Sequence, residues 1–159
     1  MQSTTLTSEQ RQAGIALLAI RIAAALAFLY HGSGILFASF GGPGTGGFAR
    51  AMHQPVAVAC LVGLAEFCGG LALLTGVLAR LGAVCIIAVM LGAIFMVHLP
   101  HGFDNTKQGF EYALTQLLIA VAILVAGAGP YSLAYALRLA RSRTTEGVRS
   151  QQSPPVVHS

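Results

Sequence analysis

Five ionisable side chains interrupt apolar runs that are long enough to cross a bilayer: Arg21, His31, Glu66, His98 and Glu111. Ionisable groups inside such segments are costly and usually bind a ligand, carry protons or pair with one another. At about 1.5 Å per residue, Arg21 is predicted in the inner half of the membrane. The other four are predicted between the midplane and the outer boundary. Together they form a predicted intramembrane polar network, a ligand or proton site.

Glu66 has the most informative neighbours. Gly63, Gly69 and Gly70 lie three or four residues away and are predicted to pack helices together, since small residues let a neighbouring helix approach closely. The carboxyl group is therefore predicted to face another helix. It could handle protons or bind a ligand, or it could be a structural acid that fixes helix register. Arg21 could pair with Glu66 across the bundle, or extend to the inner head groups.

The remaining members of the network leave the same choice open. His31 is followed by Gly32 and Gly34, so its surroundings are open, but it could also be a packed neutral histidine. His98 and Glu111 flank one polar loop and could be simple interface residues. No catalytic residue can be assigned from these patterns.

Several other chemistries find no support. A di-iron bundle needs paired Glu-x-x-His motifs, and no glutamate here has a histidine three residues later. We therefore predict no metal site. Gly42, Gly44 and Gly47 match a dinucleotide motif, but they follow an apolar helix rather than a strand. The three cysteines lie inside apolar runs and are predicted to be packing residues. A quinone is the cofactor that stays open.

The composition requires a membrane. Of the 159 residues, 55% are hydrophobic and 9% are charged, and the mean hydropathy is +0.74. Soluble domains carry about 25% charged residues. The net charge of +4 reflects arginines clustered near the C-terminus, at positions 138, 141, 143 and 149. This is a juxtamembrane cluster, so membrane lipid is an expected partner and nucleic acid is not.

The elements that would position the polar network are four apolar runs, at about residues 14–40, 56–78, 81–98 and 110–128. Runs of this length without period-two alternation predict transmembrane helices. We expect an all-α, four-helix, up-down bundle. The glycine-rich residues 41–47 are predicted to be a flexible loop. Residues 1–13 are predicted to be a polar tail, 14–137 the membrane domain, and 138–159 a disordered basic tail.

Orientation follows from the basic residues. Arg11, Arg80 and the C-terminal arginines would share one side, and Arg50 and Lys107 the other. The positive-inside rule places the first set in the cytoplasm. Both ends of the chain are therefore predicted to be cytoplasmic, in a bacterial inner membrane.

Three patches of the sequence resemble the DoxX family of bacterial membrane proteins. They are Arg21 with Phe28-Leu-Tyr-His-Gly32; Gly63-Leu-Ala-Glu-Phe-Cys-Gly-Gly with Arg80 downstream; and His98 with the stretches 109–114 and 127–132. The likeness extends over about residues 15–137. Family members often have a lysine where this chain has Ile35, and an arginine and an aspartate where it has Pro130 and Ala134.

The resemblance implies a four-helix membrane fold and an association with quinone-linked or thiol-linked redox systems. We therefore expect a membrane anchor or partner subunit of such a system, with a redox protein as partner. The alternative is a small transporter or proton-coupled permease that uses the polar network. A quinone-reducing enzyme is a third hypothesis, so enzymatic activity stays open. The sequence does not reveal the substrate, the partner or the oligomeric state.

Overall fold

The computed structural model describes residues 6–152, which are mainly helical and contain no strand. Residues 1–5 of the predicted N-terminal tail and 153–159 of the predicted C-terminal tail lie outside this range. The six helices are α1 Ser8–Phe37, α2 Gly44–Ala51, α3 Val56–Thr75, α4 Ala79–Ala93, α5 Glu111–Ala126 and α6 Leu133–Gln152. A π-helical segment, Ile94–His98, extends α4 toward a loop of two short 3-10 turns.

The long helices pack as an antiparallel series. Helix α1 contacts α3, α3 contacts α4, and α4 contacts α5. Three of the predicted spans are long and apolar enough to cross a membrane: Ser8–Phe37, Val56–Thr75 and Ala79–His101. The fourth, α5, is a shorter apolar helix of 16 residues, which at about 1.5 Å per residue is below a ~30 Å hydrocarbon core. The chain therefore has the fold of a multi-pass membrane protein.

Helix α1 begins earlier than the apolar run that predicted it. The Thr7 side chain accepts a hydrogen bond from the Gln10 backbone N–H, and the Gln10 side chain accepts one from the Thr7 N–H. This reciprocal capping box satisfies two backbone donors that a helix start leaves without partners. The helix consequently includes polar residues 8–13, which the hydropathy pattern had excluded.

The prediction that residues 41–47 cannot form a helix was wrong, because α2 begins at Gly44. Glycine disfavours a helix by about 1 kcal/mol relative to alanine, but packing compensates for this cost here. Helix α2 packs against α1 and α3, and Ala49 is buried in that contact. A Cβ added at Gly42 would lie 2.5 Å from the Gly34 Cα, so the glycines allow the chain to fold back tightly on α1.

The C-terminal segment is helical where the sequence predicted a disordered tail. Helix α6 runs from Leu133 to Gln152, and the Ser132 hydroxyl accepts a hydrogen bond from the Tyr135 N–H near its start. Helix α6 follows α5 after a short connection through Gly129 and Pro130. The division into a tail, a membrane domain and a second tail stays a prediction.

Arg21 joins three elements at the α6 end of the bundle. Its side chain is 1% exposed. The guanidinium donates to the carbonyl oxygens of Leu73 at 2.8 Å and Leu74 at 3.1 Å, in the last turn of α3. It also donates to those of Ala128 and Tyr131, in the connection between α5 and α6. We call this arrangement the Arg21 clamp.

The Arg21 clamp supplies hydrogen-bond donors to carbonyl groups near helix ends. The last carbonyls of a helix lack intrahelical partners and carry partial negative charge. A planar guanidinium offers five N–H donors in a fixed geometry, so one side chain can satisfy carbonyls from two neighbouring segments. The clamp fixes how α1, α3 and the end of α5 are placed relative to one another.

We expect Arg21→Leu to destabilise the protein by roughly 3 kcal/mol or more, because each hydrogen bond to a charged group contributes about 1.5–3 kcal/mol. Arg21→Lys should recover only part of this loss, since an ammonium cannot reproduce the fork of donors. The measurement is thermal unfolding in detergent, monitored by the circular dichroism signal of the helices.

Arg80→Leu is the matched control for the Arg21 variants. Arg80 is exposed and makes one long hydrogen bond, 3.5 Å, to the Val125 carbonyl oxygen. This control should unfold close to the parent temperature. If Arg21→Leu and Arg80→Leu lowered the unfolding temperature equally, the clamp would have no special role.

Candidate functional site

Glu66 lies in the middle of α3 and is 7% exposed. The glycines around it bring two neighbouring helices close. A Cβ added at Gly63 would lie 2.9 Å from the Leu36 side chain of α1, and one added at Gly70 would lie 3.0 Å from the Leu29 backbone nitrogen. Gly69 instead faces Ile86 of α4. The glycines therefore admit α1 and α4 on different faces of α3.

Glu66 contributes to a cavity of about 270 Å³ at the end of the bundle opposite the Arg21 clamp. We call it the Glu66 cavity. Its wall comes from the C-terminal part of α1, the following 3-10 turn, the residues just before α2 and Phe48 within α2, with Glu66 as the contribution of α3. The lining includes Tyr30, His31, Ile35, Ser39, Phe40 and Phe48.

Aromatic rings form much of this wall. Tyr30 and Phe40 are stacked with ring centroids 5.2 Å apart and an interplanar angle of 23°, and the His31 ring packs edge-on against Tyr30 at 5.5 Å. Tyr30 is 53% exposed and Phe40 is 75% exposed. Apolar and aromatic walls with a few polar groups are typical of small-molecule sites.

Two buried oxygens near this end have no hydrogen-bond partner among the described residues: Glu66 Oε2 and Gln116 Oε1. Gln116 lies in α5 and is 8% exposed. Tyr112, one turn before it, is close to both Glu66 and Gln116, and its ring centroid is 6.5 Å from that of His31. The structure thus groups polar side chains from α1, α3 and α5.

Tyr112 and Gln116 are the members of this group that the sequence interpretation missed. That interpretation considered only ionisable side chains within the apolar runs. A glutamine inside a run such as Leu114-Thr-Gln-Leu-Leu118 is itself a signal, because an amide in hydrocarbon needs a partner. Four residues separate Tyr112 from Gln116, so a helix places them on one face.

Of the two roles that the sequence left open for Arg21, the structure does not show the pair with Glu66. The described residues contain one ion pair, Lys107 with Asp104 at 3.8 Å, and Arg21 donates to main-chain carbonyls at the other end of the bundle. Ile35, at the position where family members often have lysine, is buried in the cavity wall. Glu66 consequently has no cationic partner among these residues.

His98 and Glu111 hold the loop between α4 and α5. The His98 Nδ1 is 2.7 Å from the Gln108 carbonyl oxygen, and the Glu111 carboxylate accepts a hydrogen bond from the Asn105 N–H at 3.3 Å. His98 is half-buried and Glu111 is exposed, and neither lines the Glu66 cavity. Of the five predicted site residues, the cavity therefore brings together His31 and Glu66.

The same loop contains a solvated acid. The hydroxyl and the backbone N–H of Thr106 both donate to the Asp104 carboxylate. These hydrogen bonds lower the pKa of Asp104 below its usual value, because they stabilise the charged form. Within the described residues, no group of three or more histidine, cysteine or acidic side chains is arranged to hold a metal ion.

The DoxX family model matches residues 16–99. The chain belongs to the DoxX family. The match includes Arg21, His31, Glu66 and His98, and it ends before Tyr112 and Gln116. It is shorter than the likeness over residues 15–137 that the sequence patches indicated. Neither the search of curated proteins nor the search of solved structures found a match to this DoxX-family chain.

The close approach of α1 and α3 provides a test of how the site is held. A Cβ added at Gly32 would lie 2.5 Å from the Phe67 backbone nitrogen, whereas nothing lies within 4 Å of a Cβ added at Gly92. We expect Gly32→Ala to lower the free energy of unfolding by about 1–3 kcal/mol, the usual cost of overpacking. Gly92→Ala, the control, should be neutral or stabilise by up to about 1 kcal/mol. Thermal unfolding of the two variants checks this, and a tolerated Gly32→Ala would contradict the packing.

Proposed function

We propose that this DoxX-family protein is a membrane partner subunit of a quinone-linked redox system, and that it binds the head group of a quinol in the Glu66 cavity. One observation carries the proposal: a nine-tenths buried carboxyl group with an unpartnered oxygen lines a cavity that has aromatic walls. An unsatisfied buried acceptor costs about 1–3 kcal/mol. A ligand hydroxyl that donates to it would offset this cost.

The chemistry of the lining favours a quinol among membrane-soluble ligands. A quinol ring can pack against the Tyr30 and Phe40 rings, and its phenolic hydroxyl can donate to the Glu66 carboxyl group. Both aromatic side chains are largely exposed, so in a bilayer a lipid-soluble ligand could approach from the hydrocarbon side. The proposal assigns to this chain the binding of the quinol, without a redox step of its own.

The thiol-linked version of the hypothesis has less support. Cys60 and Cys85 are half-buried and Cys68 is exposed, and all three are free thiols within α3 and α4. None of them lines the Glu66 cavity. The cavity therefore favours the quinone-linked version.

The alternative, a proton-coupled permease, uses the same carboxyl group but also requires a proton path through the bundle. A proton path must continue from Glu66 to the other end of the bundle, where Arg21 is occupied by carbonyl oxygens. The predicted network of five residues is divided between two ends, and two members hold a loop. This arrangement supports a binding site at one end better than a path through the membrane.

We also propose that the chain crosses a bacterial cytoplasmic membrane four times, with both ends in the cytoplasm. Exposed Arg11, Arg80, Arg138 and Arg141 lie at the end that carries the Arg21 clamp, and Arg50 and Lys107 lie at the other. This asymmetry supports the orientation. The Glu66 cavity would then open toward the outer side.

Cysteine labelling in intact cells tests this orientation. In a variant whose three native cysteines are replaced by alanine, Lys107→Cys should react with a membrane-impermeant maleimide, and Ser142→Cys should react only after lysis. Both parent residues are exposed, so differences in burial do not explain the result. The reverse labelling pattern would overturn the orientation, and labelling of both positions in intact cells would overturn the fourth crossing.

Ligand-induced stabilisation tests the quinol site. In nanodiscs, a short-chain quinol should raise the unfolding temperature of the parent, since a ligand that binds only the folded state stabilises it. Glu66→Leu, which removes the accepting oxygens, should bind it about 5- to 150-fold more weakly, which corresponds to the cost of about 1–3 kcal/mol for a buried hydroxyl left without a partner. Glu111→Leu, which replaces the exposed acid at the first residue of α5, is the control and should bind as the parent does.

A second ligand makes this test sharper. The same ring with both hydroxyls methylated keeps the aromatic contacts but has no O–H donor, so it should bind the parent poorly. Equal binding of quinol to the parent and Glu66→Leu would contradict the site. Proton-coupled solute flux in vesicles, lost in Glu66→Gln, would instead support the permease.

A further inference from the structure

Helix α6 leaves the bundle at the end that carries the Arg21 clamp. It begins at Leu133, seven residues after α5 ends at Ala126. The Ser132 hydroxyl bonds both the Gly129 carbonyl oxygen and the Tyr135 N–H, so the connection and the first turn are held together. The start of α6 is thereby fixed to the connection that follows α5.

One face of α6 is apolar and exposed. Leu133 is 52% exposed and Leu137 is 48% exposed. Ala136 and Ala140 are also exposed and follow the two leucines by three residues, so all four share one face. Among the described residues, no other helix packs extensively against α6. This face therefore has no covering partner within the described part of the chain.

Positive charge borders the apolar face. Arg141 follows Leu137 by four residues and lies beside the face, while Arg138 is rotated from Leu137 by about 100°. Both arginines are exposed. The sequence of α6 also contains Arg143 and Arg149, against a single acid, Glu146. Exposed Arg11 and Arg80 add positive charge at the same end of the bundle.

We infer that α6 lies in the plane of the membrane surface and binds anionic lipid head groups. An apolar face bordered by arginines is the pattern of helices that rest in the interface with their leucines in the acyl boundary. Clusters of basic residues next to a membrane span attract anionic lipid. Because α6 is connected directly to α5, the bilayer is the surface that it meets at the highest effective concentration.

Charge and position together favour lipid over the other surfaces that α6 could meet. An acidic protein or nucleic acid would be attracted by the arginines but would leave the exposed leucines uncovered. A second copy of the chain could cover the leucines, but it would bring another set of arginines toward the first. A bilayer with anionic lipid covers the exposed leucines and also pairs with the arginines. This inference does not depend on the proposed quinol site.

The chain contains no tryptophan, so a single substitution supplies a specific probe. The full-length Leu137→Trp variant is reconstituted in vesicles of phosphatidylcholine with or without phosphatidylglycerol, some with brominated acyl chains that quench tryptophan fluorescence. We expect blue-shifted emission and at least twofold stronger quenching when the anionic lipid is present. Ser142→Trp, rotated from Leu137 by about 140°, is the control and should stay solvent-exposed in both membranes.

Charge variants complete the test. Adding Arg138→Gln and Arg141→Gln to the Leu137→Trp variant should remove the effect of anionic lipid. Adding Arg50→Gln and Lys107→Gln, which remove the same charge at the opposite end, should not. Equal quenching at positions 137 and 142 would overturn the inference. Equal quenching in vesicles with and without the anionic lipid would overturn it too. Shielding of position 137 that rises with the protein-to-lipid ratio, without bromine quenching, would point to a second copy and overturn it as well.

Discussion

The Arg21 clamp is the interaction on which the arrangement of the bundle depends. In hydrocarbon, backbone groups at helix ends have no water to bind, and α3 ends where the chain must turn immediately into α4. A guanidinium buried at 1% exposure donates to carbonyls of α3 and of the connection after α5. One side chain from α1 thus satisfies groups from two other segments, and the rest of the packing follows from that position.

The clamp also has a consequence for the opposite end of the bundle. Because the donors of Arg21 are directed at carbonyl oxygens, that cation is not available to Glu66. Packing of small residues still brings α1 against α3, so the carboxyl group is buried by the helix contact without an ion pair. Burying an ionisable group without an ion pair costs free energy, and here it leaves Glu66 Oε2 without a hydrogen-bond partner among the described residues.

The features that could be predicted from the sequence are those that depend on local composition. The apolar runs around Glu66 and before His98 predicted membrane helices because hydropathy is a property of a short window. The partners of Arg21 could not be predicted, since main-chain carbonyls at helix ends do not differ from others in the sequence. The first turn of helix α2, within residues 41–47, was missed because glycines are poor helix formers, and packing on α1 and α3 overrides that preference.

The polar side chains near Glu66 likewise divide into those that the sequence identified and those that only tertiary packing brings close. The sequence identified His31 and Glu66 as ionisable residues in apolar surroundings. Their spacing did not distinguish them from His98, whose side chain contacts a carbonyl oxygen of the loop instead of the cavity. Tyr112 comes from a helix that is distant in sequence, so its proximity to Glu66 is a product of tertiary packing. Neutral polar residues within apolar runs therefore indicate a polar site as charged residues do, because they too need hydrogen-bond partners.

Infrared difference spectroscopy on the quinol complex tests most directly the central claim, that Glu66 is the group that meets the ligand. Adding quinol to the protein in nanodiscs should perturb one carboxyl band. That perturbation should persist in Glu111→Gln and disappear in Glu66→Gln, measured at ligand concentrations that saturate each variant. A carboxyl perturbation that survives in Glu66→Gln, or a saturated parent without any carboxyl change, would contradict the account.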